Sequence, residues 1–299
     1  MEFKKIIFPL LILIFVLAPW PVQGQFRNDI NVSLFAGGTV AQQNINNRGY
    51  WYGGYAEWLP IKTASGFNFG FCAVASQTEF KSNDLKNKYW GTSTDFGLGI
   101  VMGKYSEFFT PRFASYTGFN ALIKRSKDNG TGQSIINNYQ LGTYRMNQED
   151  WLLSTELNFN LLKYHGWREQ LFPRTQLRLV AQTPLKSKRE SFWNDEPILN
   201  SALWNKASYS AELKQSLFRT GYNNQFEPKI YTGYYYYRGD KSHWLAIGPE
   251  LALHKPGKDD FLAIYFLVKK QVGHFEPHLG STQFVFGINF IPTNLSRWY

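Results

Sequence analysis

Apolar and polar residues alternate along most of this chain with a period of two. Near the C-terminus Thr282, Phe284, Phe286, Ile288 and Phe290 share one parity, and Gln283, Val285, Gly287 and Asn289 share the other. That period means a strand with two unlike faces. Ile30, Val32, Leu34 and Ala36 oppose Asn31, Ser33 and Phe35 in the same way. Phe67, Phe69, Phe71, Ala73 and Ala75 oppose Asn68, Gly70, Cys72, Val74 and Ser76. Phe96, Leu98 and Ile100 oppose Asp95, Gly97 and Gly99, and Leu153, Leu157, Phe159 and Leu161 oppose Ser154, Glu156, Asn158 and Asn160. Leu177, Leu179 and Ala181 oppose Gln176, Arg178 and Gln182, and Tyr209, Ala211, Leu213 and Leu217 oppose Ser208, Ser210, Glu212, Lys214 and Ser216. Weaker alternation runs through 48–59, 112–125, 134–147, 226–238, 243–254 and 261–270. No helical period persists beyond about two turns.

Polar, turn-rich stretches separate these segments: "QQNINNRG" (42–49), "KSNDLKNK" (81–88), "SKDNGTGQ" (126–133), "RTGYNNQ" (219–225) and "HKPGKDD" (254–260). Shorter ones are "NQED" (147–150) and "RGDKS" (238–242), the latter read as a turn despite its adhesion tripeptide. Alternating long and short connections predict a meander of hairpins. About thirteen segments can be counted. The ambiguous stretch is 184–205, "PLKSKRESFWNDEPILNSALWN", which is either a long loop or hides a short strand in "PILNSALW".

The N-terminus adds a destination. Lys4 and Lys5 precede an apolar run, Ile6–Ala18, and then "PWPVQGQ" places Val22 and Gly24 as small residues before a cleavage point. The pattern predicts a signal peptide over 1–24, the apolar run being shorter than the roughly 20 residues of a membrane-spanning helix. No later stretch is apolar enough for such a helix. Cys72 is the only cysteine, which rules out an intramolecular disulfide.

Either a soluble sandwich or a membrane barrel would alternate. The strands here run to ten residues or more, against about five or six in globular proteins and about 9–11 for a strand that crosses a bilayer. Aromatic residues, 18% of the chain, gather at segment ends: Tyr50, Trp51 and Tyr52; Tyr89 and Trp90; Phe108 and Phe109; Trp151; Tyr164 and Trp167; Trp244; Phe261. Interfacial girdles sit at such ends. A closed barrel leaves no backbone group unpaired in lipid.

On these features, with the terminal "TQFVFGINF", the chain over roughly 26–290 resembles the bacterial outer-membrane β-barrel class. The resemblance implies an all-β, antiparallel, up-and-down transmembrane barrel of about twelve strands, with fourteen the next choice. The expected layout is a signal peptide over 1–24, a barrel over 25–290 and a tail over 291–299, in the outer membrane of a Gram-negative-type bacterium. The N-terminus is expected in the periplasm and the longer loops outside. Implied partners are outer-membrane lipid and lipopolysaccharide, and the barrel-assembly machinery, which would recognise Phe290 or, beyond it, Tyr299.

The formal net charge is +10, without a basic run or a nucleic-acid motif. No nucleic-acid partner is therefore expected, and an anionic solute or polysaccharide suits the charge better. Besides Asp95, seven charges on polar faces form the candidate set: Glu156, Arg178, Glu212, Lys214, Lys229, Glu250 and Lys269. Two readings stay open for this set. They pair and close the interior, or they line a lumen that attracts anions. The glycines Gly70, Gly97, Gly99, Gly118, Gly233, Gly248 and Gly287 either make room for a ligand or relieve crowding in a curved wall. Cys72 reads as a small packing residue. The histidines are His165, His243, His254, His274 and His278; in "HFEPHLGS" (274–281) the two histidines would stand about 13 Å apart on a strand, too far for one metal. No catalytic residue, metal site or cofactor is predicted. The expected role is a non-enzymatic barrel: a narrow pore, or a component of an envelope export or surface system. The alternative is a barrel enzyme acting on lipid or lipopolysaccharide, with a histidine at the outer rim.

Overall fold

The computed structural model describes residues 25–41, 48–62, 67–83, 87–105, 116–136, 139–162, 174–194, 196–197, 206–219, 226–239, 241–254, 260–273 and 282–290. The strands are β1 (Gln25–Ala41), β2 (Arg48–Lys62), β3 (Phe67–Asn83), β4 (Asn87–Tyr105), β5 (Tyr116–Ile136), β6 (Tyr139–Leu162), β7 (Arg174–Trp193), β8 (Glu196–Pro197), β9 (Ser208–Ser216), β10 (Phe226–Tyr237), β11 (Ser242–His254), β12 (Asp260–Gly273) and β13 (Thr282–Phe290). Each long strand pairs antiparallel with its neighbours in sequence, and β1 pairs with β13 to close the sheet. β8 is a two-residue flap on the tip of β7, and β9 pairs with β7 directly. Thirteen strands less this flap leave a closed wall of twelve.

The extra segment in the sequence count has a physical origin. The stretches 126–133 and 147–150 are not turns; they lie inside β5 and β6. Segment 134–147 is shared between those two strands and is not a strand of its own. Beyond the bilayer both faces of a strand are polar, so the alternation fades and the strand looks like a turn. β5, β6 and β7 run to 21, 24 and 20 residues, about twice what crossing a bilayer requires. In the ambiguous stretch, β7 continues to Trp193 and only Glu196–Pro197 pairs again, while 198–205 lies outside the described residues. The predicted 238–242 turn is present, with Lys241 at a φ of 55°.

By strand order, Gln25 and Phe290 lie at one end of the barrel and the projecting tips of β5–β7 at the other. The connections do not sort by length as expected. The 106–115 and 163–173 connections belong to the end with the termini, whereas 84–86 and 137–138 belong to the far end. Among the described residues, the far end is built out by the extended strands β5–β7.

Side chains follow the period of two. Phe266, Phe286, Ile288 and Ile264 are exposed on the outer face, while Leu267, Gly287 and Asn289 are buried on the inner face. Exposed rings form two belts. Tyr50, Tyr52, Trp90, Trp151, Tyr209 and Tyr234 lie toward the far end, and Trp58, Phe71, Phe218, Phe226 and Phe290 toward the end with the termini. Apolar area this extensive on an outer surface calls for an apolar solvent. Among the described residues no helix is long and apolar enough to cross a membrane; the strands are the crossing elements.

Phe286→Arg should cost about 2–4 kcal/mol of folding free energy in lipid vesicles, because the charge would sit near mid-membrane. Gln283→Arg, on the inner face beside the cavity, should cost far less. Urea titration of the folded fraction checks both. Gly287 is a poor inner-face probe, because the Tyr265 ring already occupies the space a side chain would need.

Candidate functional site: the barrel lumen

The half of the lumen nearest the termini is packed from both walls. From β2–β5 come Tyr55, Leu59, Cys72, Val74, Val101 and Leu122, one buried apolar cluster. Cys72 is a packing residue of that cluster. From β6–β11 comes a chain of ion pairs. Arg178 binds Glu156 at 2.8 Å and Glu212 at 3.0 Å, and Asn158 donates to Glu156 at 2.9 Å. Lys214 pairs with Glu250. Lys229 lies 3.6 Å from Glu250 and 3.9 Å from Glu227. Arg174 holds Glu227 through two bonds, Nε to Oε1 at 3.1 Å and Nη2 to Oε2 at 3.3 Å, with exposures of 1% and 0%. Arg219 adds a contact to Glu227 at 2.9 Å. Across the lumen Glu57 accepts from the Tyr55 hydroxyl at 2.8 Å and lies within electrostatic range of Glu156.

The arrangement follows from the wall. Inner positions of neighbouring strands stand side by side, so Arg178 faces Glu212 in register and Lys229 faces Glu250. Charges taken out of water are tolerated only when paired and hydrogen-bonded. Here Arg178 serves two carboxylates, Glu156 and Glu212, while Glu227 and Glu250 are each shared among cations on adjacent or next-adjacent strands.

Toward the far end the lumen encloses a cavity on its β1–β2 and β10–β13 side, while Ser126, Asp128, Gln148 and Asp150 stay buried on the inner face of β5 and β6. The cavity, of about 350 Å³, rests on Arg178, Glu212 and Lys214 as its floor. Trp51 and Phe35 face it from one wall, and Tyr231, Tyr235, Tyr265, Lys269 and Gln283 from the other. The Lys269 Nζ lies 4.5 Å from the Tyr235 ring centre, 4.9 Å from Tyr237 and 5.3 Å from Trp244. It donates to the Tyr237 hydroxyl at 2.9 Å. Two inner glycines seat these rings: a Cβ on Gly233 would strike Tyr235, and one on Gly287 would strike Tyr265. Elsewhere glycine relieves crowding: at Gly99 and Gly248 a Cβ would strike the carbonyl oxygens of Ala121 and Phe266.

At the mouth, Lys206 lies between β7 and β9 in sequence and reaches across to Asp128 on β5 at 2.7 Å and to the Ser126 hydroxyl at 2.6 Å. Lys124 pairs with Asp95 at 2.8 Å nearby. His243 contacts the Tyr234 hydroxyl at 2.6 Å and packs on Tyr236. His165, His274 and His278 lie outside the described residues, as does the side chain of His254. No group of three or more His, Cys, Asp or Glu suited to a metal occurs among the described residues.

Of the seven charges picked out by parity, Glu156, Arg178, Glu212, Lys214, Lys229 and Glu250 meet in the ion-paired half. Lys269 stands apart in the aromatic half. Parity missed Arg174, Arg219, Glu227 and Glu57. Glu227 shares the parity of Lys229 in "FEPKI", and Glu57 that of Tyr55 in "YAEW", so a firmer placement of β2 and β10 would have found both.

The closed wall, the outward apolar band and the two aromatic belts make this chain a transmembrane β-barrel with the fold of the bacterial outer-membrane barrel class. No family model matches it and no curated protein matches it. Among solved structures it is similar to the β domain of the Bordetella autotransporter BrkA, at 10% identity over 89% of this chain and 99% of that one, TM-score 0.46. It is also similar to the translocator domain of the autotransporter NalP from Neisseria meningitidis, at 9% identity over 96% and 95%, TM-score 0.42. A third is LpxR from Salmonella typhimurium, at 9% identity over 86% and 99%, TM-score 0.36. These likenesses concern the fold alone.

Arg178→Met should destabilise the barrel by about 3–5 kcal/mol, because it strands two buried carboxylates. Adding Glu156→Gln and Glu212→Gln should recover most of that loss. Equilibrium unfolding in urea of the single and triple variants checks the pair of outcomes.

Proposed function

We propose that this chain is a non-enzymatic barrel that binds an anionic solute, best an acidic saccharide segment, in this cavity, as a component of an envelope export or surface system. The observation that carries the reading is the contrast within one lumen. One half is filled by ion pairs and apolar packing, and the other holds an aromatic cavity with a lysine on its wall. The flat faces of Trp51, Tyr235 and Tyr265 suit the apolar faces of sugar rings, and Lys269 suits a carboxylate. The volume is in the range of small-ligand sites. The ion-paired floor argues against a continuously open, porin-like passage: a path for solute would have to break the Arg178 and Lys214 pairs.

The reading extends to placement. Residues 1–24 act as a cleaved signal peptide, the barrel-assembly machinery inserts the chain through its terminal aromatic signal, and the chain ends face the periplasm. The cavity then opens to the cell exterior.

Digalacturonate should quench the tryptophan fluorescence of the purified barrel, and neutral cellobiose should bind much more weakly. Lys269→Gln should weaken digalacturonate binding by about tenfold, as for the loss of one charge-assisted contact, and Trp51→Ala should reduce the quench. In planar bilayers the wild-type barrel should show no steady open-channel current. Equal binding of the two sugars refutes the anionic ligand, and a persistent large conductance refutes the sealed lumen.

A further inference from the structure

Above Trp151 the outer face of β5–β7 changes from apolar to cationic. Register sets the side chains in rows across the three strands. Arg125, Trp151 and Lys186 form one row, and Lys127, Glu149 and Lys188 form the next. Arg125, Lys127, Trp151, Lys186 and Lys188 are all exposed, Lys188 to 74% of its side chain. Arg145 stands further out, over the Phe192 ring at 5.9 Å.

The carboxylates do not balance this charge. Glu149 accepts from Arg125 Nε at 3.0 Å and Nη2 at 3.1 Å, and the Arg125 guanidinium holds its carboxyl below the usual range. Glu190 takes Lys188 at 3.1 Å. Among the described residues of this face, Arg125, Lys127, Lys186 and Lys188 less Glu149 and Glu190 is four minus two, a surplus of two positive charges. Strands lie about 4.8 Å apart and alternate residues about 7 Å apart. The β5 and β7 columns are therefore about 10 Å apart, with the Trp151 ring between them at the membrane side. Leu185, exposed in the bulge of β7, adds apolar surface at that level.

The ligand that fits must carry phosphates at headgroup height and acyl chains directly below. We infer that this face binds the phosphates of lipid A, the lipid moiety of lipopolysaccharide. Arg and Lys suit phosphate, and basic side chains at a membrane surface attract anionic headgroups. A soluble polyanion would have no use for Trp151 and Leu185, and a single-phosphate lipid would span only one column. The inference rests on the orientation proposed above, which places the β5–β7 extension outside the cell.

The test uses the full-length barrel in detergent micelles, with native mass spectrometry of bound bisphosphorylated lipid A, monophosphorylated lipid A and phosphatidylglycerol. Bisphosphorylated lipid A should bind tightest. The Lys127→Gln, Lys186→Gln, Lys188→Gln triple variant should bind it on the order of a hundredfold more weakly. Lys270→Gln, an exposed cation on β12, should leave binding unchanged. Heat-modifiable migration verifies that each variant is folded, and the three-lipid comparison on the wild type stands without any variant. Equal binding of phosphatidylglycerol, an unaffected triple variant, or an equal loss in Lys270→Gln overturns the inference. Labelling of Asn129→Cys in a Cys72→Ser background with a membrane-impermeant maleimide on intact cells tests the orientation separately. Labelling without lipid A preference sinks the inference alone. No labelling sinks the orientation and the inference with it.

Discussion

Every backbone N–H and C=O in the bilayer must be satisfied inside the wall, and the pairing of β1 with β13 is what achieves it. Leu34 faces Phe290, Ala41 faces Gln283, and the register between them is unbroken. Without that seam two strand edges would lie unpaired in hydrocarbon, at a cost of several kcal/mol for each group. Closure at twelve strands also fixes how wide the lumen is. A wall this narrow brings inward side chains from opposite sides within reach of each other. That is why Glu57 on β2 senses Glu156 on β6, and why residues that alternate as polar along the sequence end up buried rather than wet.

Burial of so many charges then dictates their pairing. Glu227 is fully buried, and Arg174, Arg219 and Lys229 surround it. Each of these cations comes from a different position along the wall, and none would be tolerated there alone. The opposite wall meets the same narrowness with apolar volume instead, from Leu59, Val74, Val101 and Leu122. The apolar cluster on β2–β5 and the ion pairs on β6–β11 thus fill one narrow lumen from its two sides.

The period of two was readable wherever one face met lipid. Phe284 to Phe290 declares its faces by inspection, and the same parity placed Glu156, Arg178, Glu212 and Lys214 on the inner side. Two things were not readable. Where β5–β7 leave the bilayer, "SKDNGTGQ" and "NQED" are polar on both faces, so strands that continue looked like turns and the count rose by one. Partnership was the other. Arg174 and Glu227 lie on strands that are not even neighbours in the wall, and nothing in the spacing of the sequence joins them. The glycines were ambiguous for a related reason: that Tyr265 covers Gly287 is a property of cross-strand register, which alternation along one strand does not contain.

Lys269 shows why parity alone does not separate charges that meet a carboxylate from charges that do not. By sequence it is one more inward cation, equivalent to Lys214 or Lys229. In the wall those two meet carboxylates, and their charge is cancelled. Among the described residues Lys269 meets three aromatic rings and a phenol hydroxyl. Ring faces stabilise a cation by about 0.5–2 kcal/mol but bring no formal negative charge. The ammonium is therefore held in place while its field persists in the cavity. The difference between the two halves is thus one of charge compensation, and it comes from which strand stands opposite each lysine.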